Sequence, residues 1–385
     1  MLSAMSGLPD PPENVPSVIL SHITFERVEA ADPGELTELR LDSLHSLRTG
    51  VPFSGQSRVS PSDMHGELAG LPAGTLLLDL TGRGRELLML RRIAEQYSSL
   101  SFAFSTSPVL FLEGQDDPHR VAGLMRAELE AGVLFQGGYW KASSMSLEIT
   151  EQALVSEEVT GLLSCAAVHR LGTLAPIVVE LPLAPDPNWD LIQDILSILQ
   201  SEGADLSRVI LTSLAVPSRS VDKITELMLR FGCSVSIDGF GVSAVTSPTS
   251  GESFPSDSDL ALSIDLICQR GLHSQLIVST NVRSKLFLRK FGGPGYQWMD
   301  ESVVPRLQKY PHAKYYLASL LCANAKSLLE WRQQEIVEAR PPETLPCYIC
   351  KKEFVPGDHF TKFNFVYCSS SCLNSHRKRN WKADS

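Results

Sequence analysis

The chain lacks any apolar run of about 18 or more residues, the length a helix needs to span a bilayer, so no membrane-spanning helix is expected. Its first 16 positions lack basic residues and hold Pro9, Pro11, Pro12 and Pro16 with two acids. They show neither the charged start nor the apolar stretch of a secretory signal. No Gly-rich phosphate turn follows the first apolar run, which argues against an open dinucleotide-binding sheet. No internal repeat stands out. Positive charge is also short: 34 Lys and Arg against 44 Asp and Glu leave a net charge of −10, which opposes nucleic-acid binding by the bulk of the chain. These absences predict an intracellular, soluble protein, cytoplasmic with the nucleus as the alternative.

What is present points to an α/β fold. At 385 residues, 43% hydrophobic and 20% charged, the chain has room for one large barrel and a small appendage. Eight short apolar runs recur: Val18–Ser21, Thr75–Leu80, Leu100–Ser105, Gly132–Gln136, Pro176–Leu181, Arg208–Ser213, Ser234–Asp238 and Ser274–Ser279. Continuous runs of this kind suit parallel strands buried on both faces. Between them, Trp189–Gln200, Val221–Phe231 and Asp259–Gln269 carry helical spacing, and Gly232 supplies a natural stop. Eight strand–helix alternations favour a closed TIM-type (β/α)8 barrel. Ala313–Arg340 adds a helical stripe that would cap it, and Pro341–Pro346 forms a stiff spacer. The expected organisation is a flexible segment over 1–16, a barrel over 17–340, a linker over 341–346, and a small cysteine-bearing module with a basic tail over 347–385.

Four of the eight cysteines (Cys165, Cys233, Cys268, Cys322) lie in apolar contexts and read as inert core thiols. The other four form two close pairs, Cys347–Cys350 and Cys368–Cys372, with 17 residues between them. Two short cysteine spacings let two turns converge on one ion, and four thiolates close a tetrahedron around Zn2+. One structural zinc is therefore expected, with no open position for catalysis. His359 and His376 are nearby imidazoles that the closed set does not need. The segment has too little core to fold without its metal.

Asn281-Val-Arg-Ser-Lys-Leu-Phe-Leu-Arg-Lys-Phe-Gly-Gly-Pro-Gly-Tyr296 resembles the stretch after the eighth strand of phosphotriesterase-related amidohydrolases, as does Val303-Val304-Pro305. Asp238-Gly-Phe-Gly241 is similar to the end of that family's seventh strand. The resemblance implies a metal-dependent hydrolase ancestor with two metal ions at the C-terminal mouth of the barrel. It also implies where ligands should stand. The first-strand His-x-His is His22-Ile23-Thr24 here. The fourth-strand bridge falls at Phe135 or Gln136. The fifth- and sixth-strand histidines are Glu180 and Ser213, and the eighth-strand Asp is Asn281. Threonine, serine and an amide are poor zinc ligands, and Asn281 has no basic form to act as general base. These losses argue against an intact two-metal site. The candidate catalytic residues that remain are His22, Glu180 and Asp238; the stronger reading of Glu180 is a solvated or hydrogen-bonded carboxylate in a degenerate pocket. The Gly292-Gly293-Pro294-Gly295 turn reads as fold geometry first and as a pocket wall second.

The segment Tyr367–Cys372 resembles FCS-type and TRASH-type treble-clef fingers. That implies a knuckle, a hairpin over Phe360–Phe365 and a helix from Ser371 onward, and it favours a protein partner. The basic tail from His376 to Lys382 could touch nucleic acid, weakly and without reading sequence, or simply complement a helix end. The function expected is a non-catalytic, amidohydrolase-like scaffold whose zinc finger mediates protein interaction. A metal-dependent hydrolase of an ester, lactone or amide with a remodelled site is the alternative, and a weak nucleic-acid adaptor the second alternative. Oligomeric state is open.

Overall fold

The computed structural model describes residues 16–21, 61–112, 117–135, 138–150, 153–242, 252–280, 282–283, 287–331, 345–347, 349–354, 360–362 and 365–378. The chain divides into two compact units, Met1–Trp331 and Arg332–Ser385.

In the first unit, eight parallel strands form one curled sheet: β1 (Val18–Ser21), β2 (Leu76–Asp79), β3 (Ser101–Thr106), β6 (Ser144–Glu148), β7 (Ile177–Glu180), β8 (Val209–Leu214), β9 (Ser234–Ile237) and β10 (Leu276–Val278). Helices alternate with them: α1 (Pro61–Leu68), α2 (Leu87–Gln96), α3 (Pro118–Glu130), α4 (Ser156–Arg170), α5 (Trp189–Ser201), α6 (Val221–Phe231) and α7 (Asp257–Gln269). Local chemistry sets their ends. Asn188 caps α5 by accepting a hydrogen bond from the Leu191 N–H at 3.2 Å, and Gly232 stops α6 in the left-handed region at φ +71°.

Strand alternation divides the apolar residues into two cores. Outward residues such as Ile19, Leu77, Val179, Leu211 and Val235 pack under the helices. Inward residues Val18, Leu20, Leu78, Val178, Ile210 and Ile277 form a second cluster inside the curl. That cluster joins the first strand to the last. The Leu20 N–H also donates to Ser279 Oγ at 2.9 Å, and Ser21 Oγ donates to the Val282 carbonyl at 3.1 Å. Ala325, with Leu328 and Leu329, packs on the inner cluster at the N-terminal floor. There Asn324 Nδ2 donates to the His273 and Leu276 carbonyls, each at 2.7 Å.

The fourth strand differs from expectation. Val133–Phe135 (β4) and Gly138–Trp140 (β5) form an antiparallel hairpin outside the large sheet, in which Phe135 pairs with Gly138. Two residues, Gln136 and Gly137, connect them, a hairpin spacing rather than a crossover. The fourth barrel strand is Ser144–Glu148, paired with β7 through Glu148 and Glu180.

The second unit holds two short antiparallel pairs, β11 (Leu345–Pro346) with β12 (Glu353–Phe354) and β13 (Phe360–Lys362) with β14 (Phe365–Tyr367), and then a helix, Ser370–Lys378.

Candidate functional site

Parallel pairing places all the C-terminal strand ends at one mouth, where (β/α)8 barrels carry their chemistry. Four carboxylates stand there. Asp79 ends β2, Glu148 ends β6, Glu180 ends β7, and Asp238 follows β9. Asp79 and Glu180 are fully buried and Asp238 is 3% exposed. Asp79 Oδ1 accepts from Thr81 N at 3.1 Å and Thr81 Oγ1 at 2.6 Å, closing its own strand end.

Arg283 enters this mouth from the segment after β10, its side chain 18% exposed. Its Nη2 donates to Glu148 Oε1 at 2.5 Å and its Nη1 to the Leu181 carbonyl at 3.3 Å. Burial alone would lower its pKa, but attraction to Glu148, Glu180 and Asp238 outweighs that and leaves it raised.

Asp238 serves the backbone. Its carboxylate accepts from Thr212 Oγ1, from Ser213 N at 3.1 Å and from Leu214 N at 2.9 Å. These bonds cap β8 where its register with β9 shifts between Leu211 and Leu214. Ser213 sits in that irregularity with φ +64°, an uncommon conformation for a residue with a Cβ. Burial pushes the Asp238 carboxyl up to about 7, against the pull of its donors and of Arg283. Beside the mouth lies a cavity of about 390 Å³, lined by Leu80, Arg83, Ser107, Ser146, Glu148 and Glu157, among others.

In the second unit the four expected cysteines converge. All four sulfurs lie within 4.8 Å of one another. Cys350 and Cys368 are 3.5 Å apart, and Cys368 and Cys372 are 3.8 Å apart. Zn–S bonds of about 2.3 Å in a tetrahedron require sulfurs roughly 3.8 Å apart, so the donor set fits zinc. The first pair sits on a knuckle: the Lys351 N–H donates to the Cys347 carbonyl at 2.9 Å, and Lys351 takes φ +61°. The second pair opens the helix. His376 is not among the donors; its Nδ1 shares a 2.8 Å hydrogen bond with the Tyr367 hydroxyl, and both residues are fully buried. Cys165, Cys233 and Cys268 are buried in the barrel, where burial raises each thiol to about 12 and keeps it inert.

A sequence profile of the phosphotriesterase family matches residues 115–329. The chain belongs to the phosphotriesterase family. A profile of the Vms1-associating treble clef domain matches residues 343–384. Among curated relatives, an N-acetyltaurine hydrolase of Dictyostelium discoideum is 30% identical over 35% of this chain and 37% of its own length. One of Tetraodon nigroviridis is 24% identical over 49% of this chain and 60% of its own. The chain thus spans between about a third and three fifths of these relatives. Among solved structures, a resiniferatoxin-binding protein from Rhodobacter sphaeroides has a TM-score of 0.67 at 20% identity, covering 84% of this chain and 93% of that one. The phosphotriesterase homology protein of Escherichia coli, solved with phosphate in its active site, has a TM-score of 0.62 at 17% identity, covering 82% and 99%. These likenesses show the barrel fold.

Phosphotriesterase-family membership implies a metal pair at the mouth, and the described residues there do not fit one. A hydrolytic metal needs about three ligands and an open water position. Asp238 already uses both oxygens on β8, Ser213 offers only a hydroxyl in place of an imidazole, and the Arg283 guanidinium repels further cations. Of the sequence candidates, Glu180 and Asp238 share this mouth and both act on Arg283. His22, Thr24 and Asn281 lie outside the described residues. Phe135 stands on the hairpin and not at a barrel strand end, so the fourth-strand position belongs to Glu148. Sequence reasoning missed Glu148 and Arg283. The turn signal in Phe135-Gln-Gly-Gly138 could have marked the hairpin and moved the strand forward.

Proposed function

We propose that this chain is a non-catalytic association module: a phosphotriesterase-family barrel used as a scaffold, joined to a treble clef that holds one structural Zn2+ and docks a partner protein. Convergence of four sulfurs in the second unit, opposite in character to the first unit's guanidinium-filled mouth, carries this reading. The matched domain is named for association with Vms1, which supports a protein partner of that kind. Among the described residues no helix is long and apolar enough to cross a membrane, consistent with action in the cytoplasm or nucleus.

Elemental analysis of the full chain tests it, beside Cys350→Ser/Cys372→Ser. About one zinc in the first and none in the second, with partner capture lost in the variant, is the expected result. Metal kept by the cysteine variant, together with ester or amide turnover lost on Glu180→Ala or His22→Ala, would sink the scaffold reading. In that case the mouth is a rebuilt hydrolase site. The cavity bordering Glu148 favours this second reading, as do the relatives named N-acetyltaurine hydrolase, whose amide class would be the first substrate to try.

A further inference from the structure

The cavity of about 390 Å³ lies by the ends of β2, β3 and β6, to one side of the mouth. Its volume falls in the range of roughly 300–1,000 Å³ in which proteins enclose small molecules. Glu180, Ser213 and Asp238 are not among the described residues that line it, so it is a space apart from the strand-end centre. Leu80 and Leu147 form its buried apolar wall, and Val109, Leu112 and Val155 its outer one. Each charge on that lining already has a counterpart within the chain. Glu148 bonds Arg283, and Arg83 bonds Glu157. Glu158 Oε1 accepts from Thr150 N at 2.8 Å and Thr150 Oγ1 at 3.1 Å, while its Oε2 accepts from Val155 N at 3.1 Å. Glu158 also stands in the first turn of α4, where the helix dipole favours a negative group. An ionic occupant would have to break one of these pairings or lie unpaired against apolar walls, and both are costly. One polar feature is left for a ligand: Ser146 Oγ gives its proton to the Leu80 carbonyl at 3.1 Å and keeps lone pairs for a donor. We infer that this side cavity is a binding site for an uncharged, largely apolar small molecule that carries a hydrogen-bond donor. The inference goes beyond the scaffold reading and needs no chemistry at the mouth.

The test uses the full chain and two dyes that brighten on leaving water. N-phenyl-1-naphthylamine is uncharged and has a single N–H, and 1-anilinonaphthalene-8-sulfonate is the same frame with an anionic group added. Wild type should bind the amine at one saturable site and the sulfonate at least about tenfold more weakly. Leu112→Trp and Val155→Trp fill the space from its outer wall, and each should weaken the amine by at least about tenfold. Val155 is 44% exposed, so its variants read the outcome if Leu112→Trp does not fold. Val155→Lys sets an unpaired cation at the rim and should tighten the sulfonate selectively. The inference is overturned if the amine does not bind, or if neither tryptophan variant weakens it, which places the dye elsewhere on the chain. It is equally overturned if the sulfonate binds wild type as tightly as the amine, or if Val155→Lys leaves the sulfonate unchanged. All four results leave the scaffold reading standing, since none bears on the finger. A wild-type chain that holds no zinc would remove that reading and leave the dye result intact.

Discussion

Gly241 packs against Pro294 so closely that a Cβ at position 241 would lie 2.6 Å from the proline's own Cβ. The two residues belong to the two segments that carry the family resemblance, and they hold each other. Gly241 takes φ +78°, its N–H donates to Asp257 Oδ1 at 2.9 Å, and Asp257 Oδ2 accepts from Trp298 Nε1 at 2.8 Å. On the far side of the turn, Glu67 of α1 accepts a hydrogen bond from the Arg289 N–H. A Cβ at Gly295 would meet Glu67 Oε2 at 2.4 Å. The glycine-rich turn is thus clamped between α1 and the loop after β9. Its glycines answer a packing demand, which accounts for their presence whatever the mouth binds.

Gly241→Ala should therefore destabilise the barrel by about 2–4 kcal/mol, combining a left-handed backbone with overpacking. Gly123 on α3 is the control, because nothing lies within 4 Å of a Cβ built there. Gly123→Ala should stabilise by about 0.5–1 kcal/mol through helix propensity. Urea unfolding of the two variants checks the pair, and equal midpoints would refute the clamp.

Asp238 predicts a pH dependence. An aspartate in the unfolded chain releases its proton near pH ~3.9, and burial holds the folded one until about 7. Across that window the folded state binds the extra proton. The contribution of Asp238 to stability therefore falls as pH rises from about 4 to about 7 and is level above. Asp238→Asn should lower stability overall, because the amide accepts at one atom where the carboxylate caps β8 with two. It should also flatten the stability curve between pH 5 and pH 7. Unfolding midpoints at several pH values decide this, and a slope unchanged in the variant would assign the proton elsewhere.

Most of the wall was legible because each strand but one is a short apolar run bounded by turns, and periodicity reports burial directly. Val221–Phe231 is a helix at the predicted bounds, since its stripe and Gly232 both speak locally. The fourth strand was not legible in the same way. Val133–Phe135 is as apolar as a barrel strand, whereas Ser144–Glu148 alternates serine with apolar residues and ends on an acid. The inward serines matter only inside a closed curl, where Ser146 Oγ donates to the Leu80 carbonyl at 3.1 Å. Misplacing that strand hid Glu148, and with it the role of Arg283, because the pair exists only once the fold brings the segment after β10 to the end of β6. The finger was legible almost whole, since its chemistry lies within 26 residues of sequence. Even the division of labour between Cys372 and His376 follows from a tetrahedron that four thiolates fill.

That division yields the last prediction. Cys372→Ser removes one of four donors, and in a segment this small the metal supplies much of the folding free energy. Zinc should be lost from the full chain, and the second unit should lose its amide protection against hydrogen exchange while the first unit keeps its own. His376→Ala acts differently. It removes a buried ring and its 2.8 Å bond to Tyr367 but no metal donor. The expected cost is about 1–3 kcal/mol to the unit, seen as faster zinc release to a chelator with the stoichiometry intact. Tyr367→Phe should cost about 1 kcal/mol, because only the hydroxyl goes. Elemental zinc and chelator-competition rates separate the cases. If His376→Ala empties the site as completely as Cys372→Ser does, the imidazole is a ligand and the four-sulfur tetrahedron is wrong.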